Sequence, residues 1–371
     1  MLVVFGTRPE GIKMMPVVKA LRASSALDVR VAVTGQHRSM LDQVLQAFGE
    51  KADVDLDLMT PNQSLAQITA RVMTRMGEVF ETERPAMVLV HGDTTSAMAA
   101  ATAAFYARVR IGHVEAGLRS HDLRNPWPEE FNRVAIDAIA DLLFAPTETA
   151  AENLRREYTR PDGILVTGNT GIDAVLQMAK ILEADAALGM TLSERYGFLD
   201  SDKRLVLVTG HRRESFGEGF ERICSGLASI AERDDVEILY PVHLNPNVRR
   251  IVSERLGARA GVHLIDPVEY RDIIYLMKRA AIILTDSGGM QEEAPALGKP
   301  VLVMRDVTER PEAVATGVAR LVGTDPDVIR REVGSLLDDS QEYSRRARPV
   351  FPYGDGAAAQ RIVERLEMEL A

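Results

Sequence analysis

Three acidic residues in the first half of the chain lie where a strand is expected to end or a helix to begin. Asp93 follows residues 88–92, Glu115 follows residues 111–114, and Glu129 opens a helical segment. Taken singly, Asp93 can be a helix cap, and Glu129 can interact favourably with the positive end of a helix dipole. Parallel strands end at one edge of a sheet, so we expect the three carboxylates to lie close together. Crowded carboxylates suit general acid–base catalysis.

The same strand ends place imidazole beside carboxylate, which makes a metal site the competing interpretation. His91 lies two residues before Asp93, and His113 lies two residues before Glu115. Residues two apart share a strand face, but these strands are ending at this point. The sequence contains no HExxH motif and no Cys/His cluster, and we therefore predict that no metal is bound.

A strand, a glycine turn and a helix are predicted in succession near residue 287. The apolar run 282–284 indicates a buried strand, Ser287-Gly288-Gly289 a turn, and 290–297 a helix. The first N–H groups of such a helix have no partner, the dipole there is positive, and glycine lets a phosphate approach. The alternative is an ordinary turn in which glycine only relieves steric crowding.

Two further residues extend this anion site. Glu293 lies about one and a half turns into the helix, where its carboxylate can accept hydrogen bonds from ribose hydroxyls. A predicted strand at 301–304 leads to Arg310, whose planar guanidinium suits phosphate. Phosphate, ribose and guanidinium contacts together indicate a nucleoside diphosphate.

Three other cationic or titratable side chains follow predicted strands. Arg8 and Lys13 follow the run 2–5, in a turn that lacks the glycine spacing of a dinucleotide fingerprint. They can bind an anion or lie on a solvated helix start. His211 follows the run 205–209 and can stabilise a leaving phosphate, relay a proton, or simply cap a turn.

Strands and helices alternate along the chain, which predicts doubly wound parallel sheets. The expected strands are residues 2–5, 29–34, 87–91, 111–115, 142–145, 205–209, 237–241, 262–265, 282–285 and 301–304. A helical, charged stretch from 171 to about 203 marks a domain connection. We predict an α/β protein with two Rossmann-like domains facing a central cleft: residues 1–170 with the acids, and residues 171–350 with the nucleotide site. Residues 351–371 are expected to return to the first domain as a helix.

The composition is that of an ordinary globular protein, with 46% hydrophobic and 26% charged residues. A net charge of −10 argues against non-specific nucleic-acid binding. No apolar run reaches the ~18 residues of a membrane helix, and Met1 leads directly into a strand, which predicts no signal peptide. The single cysteine, Cys224, is expected to be buried, and the absence of an internal disulfide fits a cytoplasmic protein.

The motifs together resemble one family over the whole chain, the non-hydrolysing bacterial UDP-N-acetylglucosamine 2-epimerases. The segments that carry the resemblance are Gly-Thr-Arg-Pro-Glu (6–10), Val-His-Gly-Asp-Thr-Thr (90–95), Gly-His-Val-Glu-Ala-Gly-Leu-Arg-Ser (112–120), Trp-Pro-Glu-Glu-Phe-Asn-Arg (127–133), Thr-Gly-His-Arg-Arg-Glu (209–214), Tyr-Pro-Val-His-Leu-Asn-Pro-Asn-Val (240–248) and Asp-Ser-Gly-Gly-Met-Gln-Glu-Glu-Ala-Pro (286–295). The resemblance implies a GT-B fold, a homodimer, no metal or nicotinamide cofactor, and interconversion of UDP-GlcNAc and UDP-ManNAc for surface polysaccharides.

The resemblance also assigns roles residue by residue. The residues implied to be catalytic are Asp93, Glu115, Glu129 and His211. Those implied to bind substrate are Arg8, Lys13, Ser287, Gly288, Gly289, Glu293 and Arg310. Some relatives are activated by a second UDP-GlcNAc, which implies a possible allosteric set of Gln36, His37, Arg38 and His243.

The chemistry of the sugar limits the mechanism. C2 of an N-acetylamino sugar has no adjacent carbonyl, so its proton is too weakly acidic for direct removal. Oxidation at C3 would need NAD, for which the sequence has no convincing fingerprint. The remaining route eliminates UDP to give 2-acetamidoglucal and then adds UDP back after reprotonation on the other face.

Other functions remain open at this stage. A hydrolysing epimerase would release UDP and free ManNAc, and a related epimerase would act on a UDP-linked 2,3-diacetamido uronic acid. A GT-B glycosyltransferase shares the nucleotide half, but with fewer acids near residues 93, 115 and 129. A non-catalytic UDP-sugar-binding protein would bind without turnover; loss of one of those acids would indicate it, and none is missing.

Overall fold

The computed structural model describes residues 1–35, 38–58, 60, 63–157, 161–210, 212 and 216–370. The chain divides into two compact units. The first contains Met1–Ala174 and Tyr353–Ala371, and the second contains Val175–Pro352. None of the described helices combines the length and the hydropathy that a bilayer crossing requires.

The first unit is built on a seven-stranded sheet whose pairings are all parallel. Its strands are β1 (Leu2–Phe5), β2 (Arg30–Val33), β3 (Val54–Asp55), β4 (Met87–His91), β5 (Arg110–Val114), β6 (Leu142–Ala145) and β7 (Ile164–Val166). The order β3-β2-β1-β4-β5-β6-β7 places β4 at the centre, beside β1 and β5. Both β1 and β4 are buried along their whole length, as is typical of parallel strands covered on both faces.

Helices connect these strands and begin at identifiable caps. They are α1 (Arg8–Ala23), α2 (Arg38–Phe48), α3 (Leu65–Glu83), α4 (Thr95–Tyr106), α5 (Glu129–Ile139) and α6 (Glu148–Glu157), with a 3₁₀ turn at Pro161–Gly163. Thr7 and Glu10 form a capping box at the start of α1, which supplies partners for N–H groups that the helix leaves unpaired. The alanine-rich α4 is buried over most of its length and packs against α3.

The second unit contains a six-stranded parallel sheet. The sheet follows two helices in the chain, α7 (Thr170–Ala184), which begins in the first unit, and α8 (Ala186–Arg195). Its strands are β8 (Arg204–Thr209), β9 (Val236–Pro241), β10 (Val262–Ile265), β11 (Ile282–Thr285), β12 (Val301–Val303) and β13 (Ala319–Leu321). The remaining helices of the unit are α9 (Glu218–Ile230), α10 (Pro246–Leu256), α11 (Tyr270–Arg279), α12 (Gly288–Ala296), α13 (Pro311–Ala315), α14 (Pro326–Asp338) and α15 (Ser340–Arg346). The strand order is β10-β9-β8-β11-β12-β13. Cys224 lies buried in the core of this unit, as predicted, and burial raises the pKa of its thiol to about 12.

The last helix, α16 (Ala358–Leu370), packs against α1 in the first unit. Its start is held by the buried carboxylate of Asp173, which accepts hydrogen bonds from the N–H groups of Ala358 at 3.3 Å and Ala359 at 2.8 Å. Burial raises the pKa of Asp173 above its ordinary value, although these N–H groups act in the opposite direction.

The ten predicted strands are all present, and their ends agree with the structure to within one residue. The sequence does not predict β3, β7 and β13, which are short, lie at sheet edges and are partly exposed. Half-exposed edge strands lack the continuous apolar runs that reveal buried ones. The helix expected at 290–297 begins two residues earlier, because Gly288 and Gly289 belong to its first turn.

Candidate active site

The predicted acid Asp93 lies between β4 and α4 but does not cap that helix. Thr94 is the cap, since its hydroxyl accepts a hydrogen bond from the N–H of Ala97 at 3.0 Å. The Asp93 carboxylate pairs instead with the guanidinium of Arg133 on α5. The Asn132 amide, on the same helix, donates to the main-chain oxygen of Asp93 at 2.9 Å. Helix α5 therefore holds both the backbone and the carboxylate of this acid.

Glu115 follows β5 with a φ of 68°, in the left-handed region that few non-glycine residues adopt. Its Oε2 atom contacts Nζ of Lys13 and lies 3.6 Å from Nε2 of His91. Burial alone would raise the pKa of Glu115, but Lys13 and His91 hold that pKa well below its ordinary value. Glu115 is therefore an anion at neutral pH, with one oxygen turned toward Lys13 and His91.

The loops that carry these two acids are neighbours. Strands β4 and β5 pair in parallel, and the N–H of Gly92 donates to the carbonyl of Val114 at 2.9 Å. A Cβ placed on Gly92 would lie 4.0 Å from Oε1 of Glu115. The second carboxylate oxygen of Glu115 thus lies beside the backbone that leads into Asp93.

Glu129 and Glu130 begin α5 but differ in their surroundings. Glu130 is only 1% exposed, and its Oε1 accepts hydrogen bonds from the N–H groups of Ser120 at 2.8 Å and His121 at 3.1 Å. Glu129 is the first residue of the helix and is half-buried. Glu130 therefore holds the preceding loop, whereas Glu129 is the acid of this pair that remains accessible for chemistry.

Glycine is required two residues after Glu115. Gly117 has a φ of 84°, and an added Cβ would lie 2.3 Å from the carbonyl oxygen of Ala150 on α6. A backbone oxygen cannot move aside as a flexible side chain can, so this close approach fixes the path of the chain after Glu115.

His113 does not take the metal-binding role considered from the sequence. Its Nδ1 lies 2.6 Å from Oδ1 of Asp137, and its Nε2 lies 2.7 Å from the carbonyl oxygen of Gly92. Both ring nitrogens are therefore engaged by protein oxygens. Within the part of the chain that the structure describes, no group of three or more His, Cys, Asp or Glu residues is arranged to hold a metal.

In the second unit, the predicted turn after β11 leads into α12. Ser287 is the N-cap in an extended conformation, and its N–H donates to the Thr285 hydroxyl at 3.0 Å. Gly288 and Gly289 form the first turn, and a Cβ placed on Gly289 would lie 3.7 Å from Oε1 of Glu293. The predicted ribose-binding carboxylate thus lies close to the glycine turn.

Charged side chains surround the N-terminus of α12. A Cβ on Gly288 would lie 3.3 Å from Oε1 of Glu309, 3.7 Å from Nη2 of Arg212 and 4.0 Å from Nη2 of Arg310. Glu309 pairs with Arg212 at 3.0 Å and also with Arg305. Burial alone would raise the pKa of Glu309. A hydrogen bond from its own N–H and the nearby guanidinium of Arg305 outweigh burial, so the pKa of Glu309 lies below its ordinary value.

Arg310 connects the glycine turn to the next helix. It is the N-cap of α13, and its Nε contacts the buried carboxylate of Glu292 on α12. Its main-chain N–H donates to the Thr308 hydroxyl at 3.0 Å, and that hydroxyl donates to Oε1 of Gln291 at 2.6 Å. Arg310 is therefore anchored to α12 by both its backbone and its side chain.

Among the remaining predicted residues, Arg8 and His243 are described in full, and the others lie wholly or partly outside the described part of the chain. Arg8 is the first residue of α1, and His243 lies exposed after β9, where its Nδ1 accepts a hydrogen bond from the N–H of Asn245 at 3.1 Å. His211, Gln36 and His37 lie outside the described residues. Arg38 begins α2, and its side chain is likewise outside the described part.

Sequence reasoning did not single out three residues that the structure places around the acids and the glycine turn. Arg133 pairs with Asp93, Asp137 holds His113, and Arg212 lies near Gly288. Arg133 is four residues after Glu129, so helical spacing would have placed it on the same face. Asp137 has no comparable signal, because its partner His113 is 24 residues away in the chain.

Comparisons with known proteins find the same family over nearly the whole chain. A family model described as UDP-N-acetylglucosamine 2-epimerase matches residues 19–367. The UDP-N-acetylglucosamine 2-epimerase of Escherichia coli K12 is 53% identical over 367 residues, covering 99% of this chain and 98% of that protein. The protein of that name from Campylobacter jejuni is 49% identical, with coverage of 98% and 96%.

Solved structures show the same relationship. The UDP-GlcNAc 2-epimerase of Neisseria meningitidis bound to UDP-GlcNAc has a TM-score of 0.90 at 45% identity, covering 98% of each chain. The enzyme of Methanocaldococcus jannaschii in complex with UDP-GlcNAc and UDP has a TM-score of 0.81 at 33% identity, covering 99% of each chain. The predicted fold class, two Rossmann-like α/β domains of GT-B type, is confirmed. This chain belongs to the UDP-N-acetylglucosamine 2-epimerase family.

Proposed function

We propose that this protein is a non-hydrolysing isomerase that interconverts UDP-GlcNAc and UDP-ManNAc. The observation that carries the proposal is the ionised Glu115 carboxylate, held by Lys13 and His91 beside the loop of Asp93. The family membership and the nucleotide-type turn at α12 support the same reaction. We further propose that residues 1–170 act on the sugar and that residues 171–350 bind UDP.

The reaction begins at the anomeric carbon. Cleavage of the anomeric C–O bond sends its electron pair to UDP and leaves oxocarbenium character on the sugar ring. Loss of the C2 proton then gives neutral 2-acetamidoglucal. Return of a proton to the opposite face of C2 and re-addition of UDP produce the epimer, so no oxidation at C3 is needed.

The second unit supplies the stabilisation of the leaving group. Charge accumulates on the diphosphate as the C–O bond breaks, and fixed donors stabilise that charge without reorganisation. We assign this role to the N–H groups at Gly288 and Gly289, to Arg310 and to His211. Glu293 is assigned to the ribose hydroxyls.

The first unit supplies the proton transfers. We assign these transfers on the two faces of C2 to Asp93, Glu115 and Glu129. An acid with a strongly lowered pKa accepts a proton but does not carry one in the resting enzyme, so Glu115 enters the reaction as an anion. Arg8 and Lys13 are assigned to the anionic substrate, and exclusion of water protects the glycal from side reactions.

Proton NMR of the purified protein with UDP-GlcNAc in D₂O tests the proposal. UDP-ManNAc that carries deuterium at C2, with little free UDP, is the expected product. Free ManNAc with stoichiometric UDP would instead assign the hydrolysing reaction. Binding without turnover would identify a UDP-sugar-binding protein, and turnover only of a UDP-linked 2,3-diacetamido uronic acid would identify the related epimerase.

We also propose that the protein is a cytoplasmic homodimer that supplies surface polysaccharide precursors. Family membership and the lack of an internal disulfide support this assignment. Sedimentation velocity at micromolar concentration is expected to give twice the monomer mass of 40.8 kDa. A single species at the monomer mass would contradict the dimer.

Activation by a second UDP-GlcNAc is proposed for the set Gln36, His37, Arg38 and His243. The support is the presence of all four side chains in the chain. Initial rates from UDP-ManNAc, measured with and without a trace of UDP-GlcNAc, test it. A lag or a strict requirement for UDP-GlcNAc is expected, and simple hyperbolic kinetics from UDP-ManNAc alone would exclude activation.

A further inference from the structure

A buried network of charged side chains lies behind the acid loops of the first unit. Its centre is the pair His113 on β5 and Asp137 on α5, whose side chains are both 0% exposed. We propose that this pair is a charged brace that positions the catalytic acids while touching no substrate. The inference rests on the proposed epimerase function and assigns positioning residues to it.

The contacts of His113 define one end of the brace. Its Nε2 lies 2.7 Å from the carbonyl oxygen of Gly92, the residue directly before Asp93. A peptide oxygen can only accept a hydrogen bond, so this ring nitrogen carries a proton. His113 therefore holds the backbone that sets the position of Asp93.

The contacts of Asp137 define the other end. Its Oδ1 lies 2.6 Å from Nδ1 of His113, and its Oδ2 accepts the N–H of Gly117 at 3.1 Å and lies 2.8 Å from Nη1 of Arg119. A carboxylate that faces a guanidinium and a peptide N–H is stabilised as an anion. The proton between Asp137 and His113 then belongs to Nδ1, and the imidazole is a cation with both nitrogens protonated.

The charges of this network balance, and its outermost member, Glu157, is partly exposed. The cations His113 and Arg119 are matched by Asp137 and by Glu157, whose Oε2 lies 2.7 Å from Nη2 of Arg119. Removal of one member of a buried charged pair leaves an uncompensated charge, whereas the intact set is stable. The brace therefore has one preferred arrangement.

The brace connects all three acid-bearing segments. Gly92 precedes Asp93, and Gly117 lies two residues after the left-handed Glu115. Asp137 lies about two helical turns after Glu129 on the same helix. A displacement of about 1 Å at a catalytic group can cost about 100-fold in rate, so a shared anchor for these segments has a direct catalytic effect.

Substitution His113→Gln tests the proposal, because glutamine can donate to Gly92 or to Asp137 but carries no charge. We expect kcat to fall about 10- to 100-fold, with the Kd for UDP unchanged because the assigned nucleotide residues lie in the second unit. We also expect a larger fraction of turnovers to end in released 2-acetamidoglucal and free UDP, because the acid that returns the proton is misplaced. A purely structural role would lower the amount of folded enzyme and leave that fraction unchanged.

Glu152→Gln is the matched control, because Glu152 lies exposed on α6 of the same unit and pairs with Arg156, outside the network. It is expected to leave both kcat and the product partition as in the wild type. If His113→Gln also behaves like the wild type, the brace has no catalytic role and the proposal fails.

Nitrogen-15 NMR of the histidine side chains in the wild-type protein gives a readout that needs neither activity nor a stable variant. Both ring nitrogens of His113 are expected to be protonated at neutral pH. A single protonated nitrogen would overturn the charged brace even if His113→Gln does not fold. Absence of epimerisation by the wild type would refute the proposed function, while the doubly protonated ring would still be observed if the brace is correct.

Discussion

The acid cluster of the first unit and the proposed anion site of the second are built in opposite ways. Residues 286–312 follow one another from a strand through a glycine turn to two helix starts, so the anion site is nearly contiguous in sequence. The acid cluster combines separate segments, since Lys13 contacts Glu115 and Arg133 contacts Asp93. A helix N-terminus binds anions through its own backbone, whereas a carboxylate depends on side chains brought from elsewhere.

This difference predicts a separation between turnover and affinity, and Asp93→Asn is expected to have the largest effect on turnover. The change removes a charge and a proton acceptor, so kcat should fall about 10²- to 10⁴-fold. UDP affinity, measured by calorimetry, should stay within a few-fold of the wild type. The surface change Glu152→Gln is the control, and normal turnover by Asp93→Asn would remove this acid from the mechanism.

Arg310→Ala is expected to weaken UDP binding as well as to slow turnover, because its guanidinium is assigned to the diphosphate. Loss of a charge-assisted hydrogen bond to the diphosphate costs about 1.5–3 kcal/mol, which corresponds to about a 10- to 150-fold weaker Kd for UDP. Arg330→Ala, an exposed arginine on α14 of the same unit, provides the control by calorimetry. Unchanged UDP affinity in Arg310→Ala would contradict its place in the anion site.

Gly288→Ala tests the glycine turn of the second unit separately from the guanidinium of Arg310. Its Cβ would lie 3.3 Å from Oε1 of Glu309, which is tighter than an ordinary contact, and it would cover the N-terminus of α12. We expect a Kd for UDP weaker by about five- to tenfold, near the low end of overpacking costs. The helical control Gly334→Ala meets its nearest atom at 3.8 Å, and equal effects of the two changes on affinity would count against a specific anion site.

The pH dependence of kcat/KM tests the electrostatics of the first unit. The lowered pKa of Glu115 means that its anionic form persists in the folded protein to pH values well below the ordinary carboxyl range. Activity and stability that depend on this anion are therefore lost only as pH falls through that low value. In Lys13→Met the burial effect is no longer opposed by Lys13, so the acid limb should move to higher pH. An unmoved acid limb would show that Lys13 does not set the charge state of Glu115.

Local sequence patterns were sufficient for most of the fold. Buried parallel strands such as β4 and β11 are continuous apolar runs, and glycine, proline and capping residues separate them from the helices. The edge strands β3, β7 and β13 were not predicted, because their partial exposure removes the continuous apolar run. The proposed anion site is equally local, since Ser287, Gly288 and Gly289 lie at a helix start that the neighbouring sequence itself specifies.

The sequence by itself determined which segments become the buried strands and the helices between them, that a glycine turn follows β11, and which acids follow the central strands. Only the tertiary structure decided that Thr94 rather than Asp93 caps α4, that Lys13 contacts Glu115, and that Glu130 is buried while Glu129 is half-exposed. Backbone propensities and apolar periodicity act over a few residues and can be read locally. Pairing between charges separated by tens of residues depends on how the sheet brings its strand ends together, and that arrangement exists only in the folded chain.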